Sequence, residues 1–224
     1  MSVASHLHIR LDEYDARIRT FIPRYDEMVA AAAQAVCACG DAAPRVLDLG
    51  TGTGALASRI LEGLPASRLT VVDEDEQILA LARQRLRARA TAVTFVHGSF
   101  VDLLLPSCDV VVASLSLHHV RTAEAKGTLY RKCRAALRAG GLFVTADCCP
   151  SADPALAALE RGAWRQHLER SYTPDETNAF FAAWAGEDVY FSLPDEIGML
   201  RHAGFRPDVV WRSGSNAVLA GRAV

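Results

Sequence analysis

Between residues 44 and 148 the chain alternates short apolar runs with amphipathic stretches of helical period, and that alternation leaves few folds open. "RVLDLG", "RLTVVD", "AVTFVHG", "CDVVVASLSLHHV" and "GLFVTADCC" read as strands. "ALASRILEGL", "DEQILALARQRLRARA" and "TAEAKGTLYRKCRAALRAG" read as the helices between them, the last closed by Gly140 and Gly141. Strands joined by helices of this length demand a parallel sheet with right-handed crossovers. After Pro150 the alternation stops. Residues 151–187 read as two helices, "PDEIGMLRHAGF" as one more, and "RPDVVWRSGSNAVLAGRAV" as two strands around a Gly-Ser-Asn turn. The predicted fold class is α/β and Rossmann-like: a mostly parallel seven-stranded sheet with a C-terminal antiparallel hairpin and a helical cap after strand five. One domain is expected, divided into an N-terminal helical lid (1–40), a core (41–150), a cap (151–194) and a last helix with the hairpin (195–224). Residues 11–39 should be helical, interrupted at Pro23.

The first strand runs into "VLDLGTGTGALASRI", where Gly50, Gly52 and Ala55 satisfy G-x-G-x-x-G/A. That turn alone allows a dinucleotide. Asp48 argues against one, because a carboxylate beside the turn repels a pyrophosphate and attracts a cation. S-adenosylmethionine carries an ammonium and a sulfonium and no phosphate, so it accounts for the glycines and the aspartate together. Asp73 ends the second strand at the spacing where an acid takes ribose hydroxyls; that position suits NAD equally well. The terminal hairpin favours the first ligand, since it is not part of the two-fold dinucleotide-binding sheet.

"VLDLGTGTG", "LTVVDEDEQIL", "VHGSF", "VVVASLSLHHV" and "LRAGGLFVTADCC" occur in order and at matching spacing. Together they resemble the class I S-adenosylmethionine-dependent methyltransferases, over about residues 40–150 and the final hairpin. A closer resemblance is to the carboxymethyluridine-forming tRNA transferase and its small-molecule relatives. It rests on "YDARIRTFIPRYDEM", "LRHAGF" and "VVWRSGSNAVLAGR". In that family an arginine after strand five holds the extra carboxylate of a carboxylated cofactor. The matching stretch here, "NAFFAAW", has no basic residue, which favours ordinary S-adenosylmethionine.

The resemblance implies that Asp48, Leu49, Gly50, Thr51 and Gly52 surround the methionine end of the cofactor. Asp73 should take the ribose, with Glu74 and Ile78 beside the adenine. Gly98, Ser99 and Phe100 should form the adenine end; Ser99 replaces the family's usual acid, and Asp102 is an alternative acceptor. Ser114 and Leu115 end the fourth strand near the cofactor, and Tyr14 in the lid is placed to meet the sulfonium. His118 is the candidate catalytic residue, as general base or as an orienter of the nucleophile, while His119 is expected to pack under the same loop. Tyr25, His119, Asp147, Trp164, Phe181 and Trp184 are the candidate acceptor-binding residues, in an aromatic pocket suited to a small, partly apolar molecule.

Composition limits the partners. The 224 residues carry a formal net charge of −2, so no global basic field attracts nucleic acid or anionic lipid. No run of about 20 apolar residues suggests a membrane span. The charged start, "MSVASHLHIRLDEYDARIR", lacks a signal-peptide core, and a cytoplasmic location is expected. The six cysteines lack paired CxxC spacing, so they are expected to be reduced, and no metal site is expected from spacing. The reading is methyl transfer to a small-molecule acceptor, with S-adenosylmethionine as cofactor and a homodimer left open. Its rivals are an RNA-modifying transferase using S-adenosylmethionine or its carboxylated form, and a non-catalytic cofactor-binding protein. Against RNA, residues 173–199 contain no lysine or arginine.

Overall fold

A computed structural model describes Arg10 and residues 13–224. The expected helix therefore begins outside the described residues at positions 11 and 12. It is followed as α1 (Tyr14–Phe21) and α2 (Tyr25–Cys37), with the break at Pro23. The core then runs β1 (Arg45–Leu49), α3 (Ala55–Gly63), β2 (Arg68–Asp73), α4 (Glu76–Arg85), β3 (Val93–His97), β4 (Cys108–Ser114), α5 (Ala123–Ala136) and β5 (Leu137–Cys148). The cap is α6 (Pro154–Leu168) and α7 (Pro174–Glu187), and α8 (Leu193–His202), β6 (Phe205–Ser213) and β7 (Asn216–Ala223) complete the chain.

The seven strands form one sheet in the order β3-β2-β1-β4-β5-β7-β6. β1 to β5 are parallel, and β7 inserts antiparallel between β5 and β6. The winding reverses between β1 and β4, where Asp48 lies level with Val112 and Leu49 with Ala113. The loops leaving these two strands diverge and open a crevice at their carboxyl ends, the place where such sheets take ligands.

Alternation along β1 sorts its side chains onto two faces. Val46 joins the core beneath α1 to α4, and Leu47 and Leu49 join the core beneath α5 and α8. Asp48 shares the face of Val46, so the carboxylate stands at the top of an apolar column. The cap helices start on signals legible in the chain. Asp153 and Ser192 cap α6 and α8, and Thr173 with Glu176 forms a reciprocal capping box on α7.

Two expected elements end differently. Gly140 and Gly141 do not close α5, which stops at Ala136; they lie in β5, where the register against β4 shifts between Cys108 and Val110. A Cβ on Gly141 would stand 2.9 Å from the Arg138 carbonyl and 3.0 Å from that of Asp109, so the irregular pairing leaves room only for glycine. The helix expected over "DEQILALARQRLRARA" ends at Arg85, and Arg87–Ala92 tightens into 3-10 turns. Arg85 itself turns toward the glycine loop and donates to the Thr53 carbonyl at 2.9 Å.

Candidate functional site

The crevice holds a cavity of about 440 Å³. Its floor is the glycine turn. The Gly50 and Thr51 amides donate to the Val72 carbonyl at 2.9 and 3.0 Å, which pins the turn to the end of β2. Gly50 sits at φ +68, and a Cβ there would stand 2.5 Å from the Ser116 Cβ; the loops after β1 and β4 meet at this point. Ser116 closes the contact by donating to the Leu49 carbonyl at 2.7 Å.

Asp48 is 1% exposed, and Thr51 Oγ1 donates to it at 2.6 Å. Burial pushes its carboxyl up to about 7; the Thr51 bond opposes that and the charge of Asp73 adds to it. Asp73 accepts the Gly52 amide at 2.8 Å and the Asp75 amide at 3.0 Å. Burial raises its pKa as well, against the pull of those two amides. Two buried acids thus face one end of the cavity, which suits a cationic ligand.

The wall places most of the expected cofactor residues together: Tyr14, Gly52, Glu74, Ile78, Ser99, Phe100, Ser114 and Leu115. Leu49 and Gly98 do not reach it. The Leu49 side chain points into the opposite core, because strand alternation turns it away from Asp48. Gly98 lies behind the wall, its amide on the Asp73 carbonyl at 2.9 Å, where a Cβ would come 3.1 Å from Leu103. Leu115 holds φ 51, in the left-handed region, with its amide on the Ala146 carbonyl at 2.8 Å. A branched residue in that conformation costs on the order of 1–3 kcal/mol, strain that concentrates at sites.

α1 straps across this end. Thr53 Oγ1 donates to Asp15 at 2.8 Å, Arg85 pairs with the same carboxylate, and Trp164 Nε1 donates to the Phe21 carbonyl at 2.7 Å. The strap thus joins the glycine turn to the cap. The cap supplies Trp164 and Trp184, stacked at 5.4 Å, and Tyr25 of α2 completes that wall. Phe181 does not line the cavity; it packs edge-on behind both indoles at 5.5 and 5.8 Å, under the Arg161 guanidinium.

The two histidines sit on a 3-10 turn, Leu117–His119, and take opposite places. His118 is buried, at 7% exposure, and His119 is the exposed one, contrary to the expectation that it packs under the loop. The turn directs His118 toward β5, where Asp147 accepts its amide at 3.1 Å and its Nδ1 at 2.7 Å. Asp147 is thus a partner behind the wall rather than part of it. Burial pulls the imidazole pKa down, but Asp147, and then Asp188, outweigh that and raise it; Asp147 is lowered in turn. With Nδ1 engaged, Nε2 is the nitrogen left for other chemistry, 3.9 Å from Asp188 Oδ1.

Asp188, Tyr190 and Arg121 also line the cavity and were not singled out in the sequence as site residues. Tyr190 donates to Asp188 Oδ2 at 2.6 Å, and the Val189 amide donates to the His118 carbonyl at 3.0 Å. Burial works to raise Asp188, yet His119, His118 and Tyr190 together bring it down to about 2. All six cysteines are free thiols; Cys148 touches the cavity, and burial pushes it up to about 12, away from reactivity.

A family described as "Methyltransferase domain" matches residues 46–141, the segment that builds the glycine turn, Asp73 and the histidine turn. That match supports a class I S-adenosylmethionine-dependent methyltransferase domain in this chain. It is 25% identical to the carboxy-S-adenosyl-L-methionine synthase of Helicobacter hepaticus, over 86% of this chain and 82% of that one. It is 29% identical to the demethylmenaquinone methyltransferase of Thermus thermophilus, over 73% of this chain and 83% of that one. An O-methyltransferase family protein from Burkholderia thailandensis shares the fold, with a TM-score of 0.69 at 19% identity over 95% of this chain and 59% of that one. The solved structures that share the fold are longer, and the chain spans 50–67% of the length of those compared. S-adenosylmethionine is the methyltransferase's cofactor, and the paired acids Asp48 and Asp73 fit its cationic end and its ribose.

The proton affinity of Asp48 has a consequence for cofactor binding. A cation beside it favours the ionised carboxylate, so binding below about pH 7 must expel a proton. Affinity for S-adenosylmethionine should therefore fall as pH drops through that value, and Asp48→Asn should flatten the dependence. Calorimetry at about pH 6 in two buffers of different ionisation enthalpy checks the proton release; identical heats would refute it.

Proposed function

We propose that this enzyme transfers the methyl group of S-adenosylmethionine to a small-molecule acceptor by in-line displacement, with His118 receiving the acceptor's proton on Nε2. The observation that carries the reading is His118 on the wall of an aromatic-lined cavity, held from behind by Asp147. Asp147 holds the ring in one tautomer and steadies its protonated form. Trp164, Trp184 and α1 exclude water and orient the acceptor, and proximity and orientation supply most of the acceleration. Among the described residues the wall carries six acids, Asp48, Asp73, Glu74, Asp75, Glu187 and Asp188, against one arginine, Arg121. That balance disfavours a polynucleotide acceptor, whose phosphates it would repel. Turnover to S-adenosylhomocysteine with an acceptor drawn from a small-molecule extract tests the proposal, and binding without turnover would favour a non-catalytic role. No helix among the described residues is long and apolar enough to cross a membrane.

A second reading, chemistry on a carboxylated cofactor, follows from the similarity to a carboxy-S-adenosyl-L-methionine synthase and from the Arg121 guanidinium on the wall. Mass spectrometry of ligand retained through purification separates the two: S-adenosylmethionine or S-adenosylhomocysteine supports methyl transfer, and a carboxylated species supports the alternative. In either case Asp73→Ala should weaken cofactor binding by about 1–3 kcal/mol, through lost bonds to the ribose. Calorimetry reads that loss, and unchanged affinity would remove Asp73 from the cofactor site.

A further inference from the structure

We propose that His118, His119 and Asp188 form a binding site for a first-row divalent metal ion of the zinc type, and that such an ion switches off proton transfer to His118. Only the second half rests on the methyl-transfer reading. One nitrogen from each imidazole and one oxygen of Asp188 all lie within 4.8 Å of one another. Asp188 Oδ1 is 3.2 Å from His119 Nδ1 and 3.9 Å from His118 Nε2. An ion with bonds of about 2.0–2.2 Å holds its donors roughly 3–4 Å apart, so the cluster needs little closing to take one.

The donor set and its surroundings both suit this class of ion. Two imidazoles and a carboxylate select borderline ions over magnesium or calcium. Asp147 accepts from His118 Nδ1 at 2.7 Å, the carboxylate–histidine arrangement that fixes the tautomer and presents Nε2 as the donor. Tyr190 holds Asp188 through Oδ2 at 2.6 Å, which leaves Oδ1 as the oxygen facing both rings. The two segments that supply the ligands are joined by the Val189 amide on the His118 carbonyl at 3.0 Å. All three ligands line the cavity, so the open coordination position of a three-ligand site faces the acceptor.

The chemical consequence follows from one lone pair. His118 Nε2 has a single pair of electrons, which binds either the acceptor's proton or the metal. A metal-loaded enzyme therefore has no free base at this position, and the ion competes with the acceptor for the same end of the cavity.

Titration of the chelator-treated protein with Co²⁺ tests the site, because coordination by these ligands produces a visible d–d absorption that Zn²⁺ then abolishes by displacement. The proposal expects saturation at one-to-one stoichiometry. His119→Ala and Asp188→Asn should each weaken Co²⁺ binding at least about tenfold, and Asp147→Asn by about 10–100-fold because His118 Nδ1 loses its carboxylate. S-adenosylhomocysteine binding by calorimetry confirms that each variant is folded. No absorption, or an absorption unchanged in both ligand variants, would overturn the site. With an acceptor in hand, Zn²⁺ should inhibit in parallel with its binding, and activation by Zn²⁺ would overturn the switch. If the absorption behaves as expected while no acceptor supports turnover, the metal site stands and the methyl-transfer reading falls.

Discussion

His118→Ala should lower turnover by about 10²–10⁴-fold while leaving affinity for S-adenosylmethionine nearly unchanged. The separation is expected because His118 meets the cavity beyond Leu115, whereas the cofactor's cationic end and ribose are assigned to Asp48 and Asp73 on the β1–β2 side. Asp147→Asn should give a smaller loss, since the ring remains but loses the carboxylate that orients Nδ1 and stabilises its charge. If His118 only orients the acceptor, the loss appears mainly in the acceptor's KM. A stability effect would instead lower cofactor affinity and thermal midpoint together. Initial rates beside calorimetric cofactor affinity distinguish these cases, and a fully active His118→Ala enzyme would remove the base assignment.

Lys126→Met should destabilise the fold by about 3–5 kcal/mol, the range for leaving one member of a buried ion pair alone. The Lys126 and Glu196 side chains are 2% and 3% exposed and paired through Nζ and Oε1. Tyr130 donates to the other Glu196 oxygen, and the ammonium stands 5.2 Å from the Phe191 ring centre. Burial raises the Glu196 pKa and Lys126 opposes it, so the variant leaves a carboxyl that must be protonated or hydrated. Lys126→Met combined with Glu196→Leu should recover most of the loss, less about 1–3 kcal/mol for the stranded Tyr130 hydroxyl. Urea denaturation of the single and double variants measures both. A single variant within about 0.5 kcal/mol of the parent would mean that the pair is hydrated.

The sheet was legible because its signals are local. Apolar runs separated by helical period specify strand and crossover directly, and Asp48 stood out as a carboxylate set between leucines just before the glycine turn. The glycine pair at 140–141 misled because the same residues serve a helix end and a bulged strand, and only the irregular pairing of β5 with β4 around Asp109 decides between them. The roles of His118 and His119 depended on a 3-10 turn of three residues, too short to carry a period, so sequence alone could not say which ring turns inward. Leu49 was misplaced by treating neighbours in a motif as neighbours in space, when strand alternation sends adjacent side chains to opposite faces.

Asp188 was not legible at all. An acid after a cap helix is ordinary in sequence, and nothing near it announces two histidines about seventy residues earlier. The fold of α7 brings them together, which is also why no ligand spacing in the chain pointed to a metal. Tyr190 was visible as one aromatic among many, and its bond to Asp188 became meaningful only once the segment was placed over the histidine turn.

The most direct test of methyl transfer to a small molecule uses S-adenosylmethionine labelled in its methyl group, incubated with the enzyme and a cell extract divided into small-molecule and RNA fractions. The account predicts label in one small-molecule product that has gained a single methyl group, with S-adenosylhomocysteine formed in equal amount and both formed at least about 10²-fold more slowly with His118→Ala. Label confined to the RNA fraction, a gained carboxymethyl group, or no consumption of S-adenosylmethionine with any fraction would contradict it.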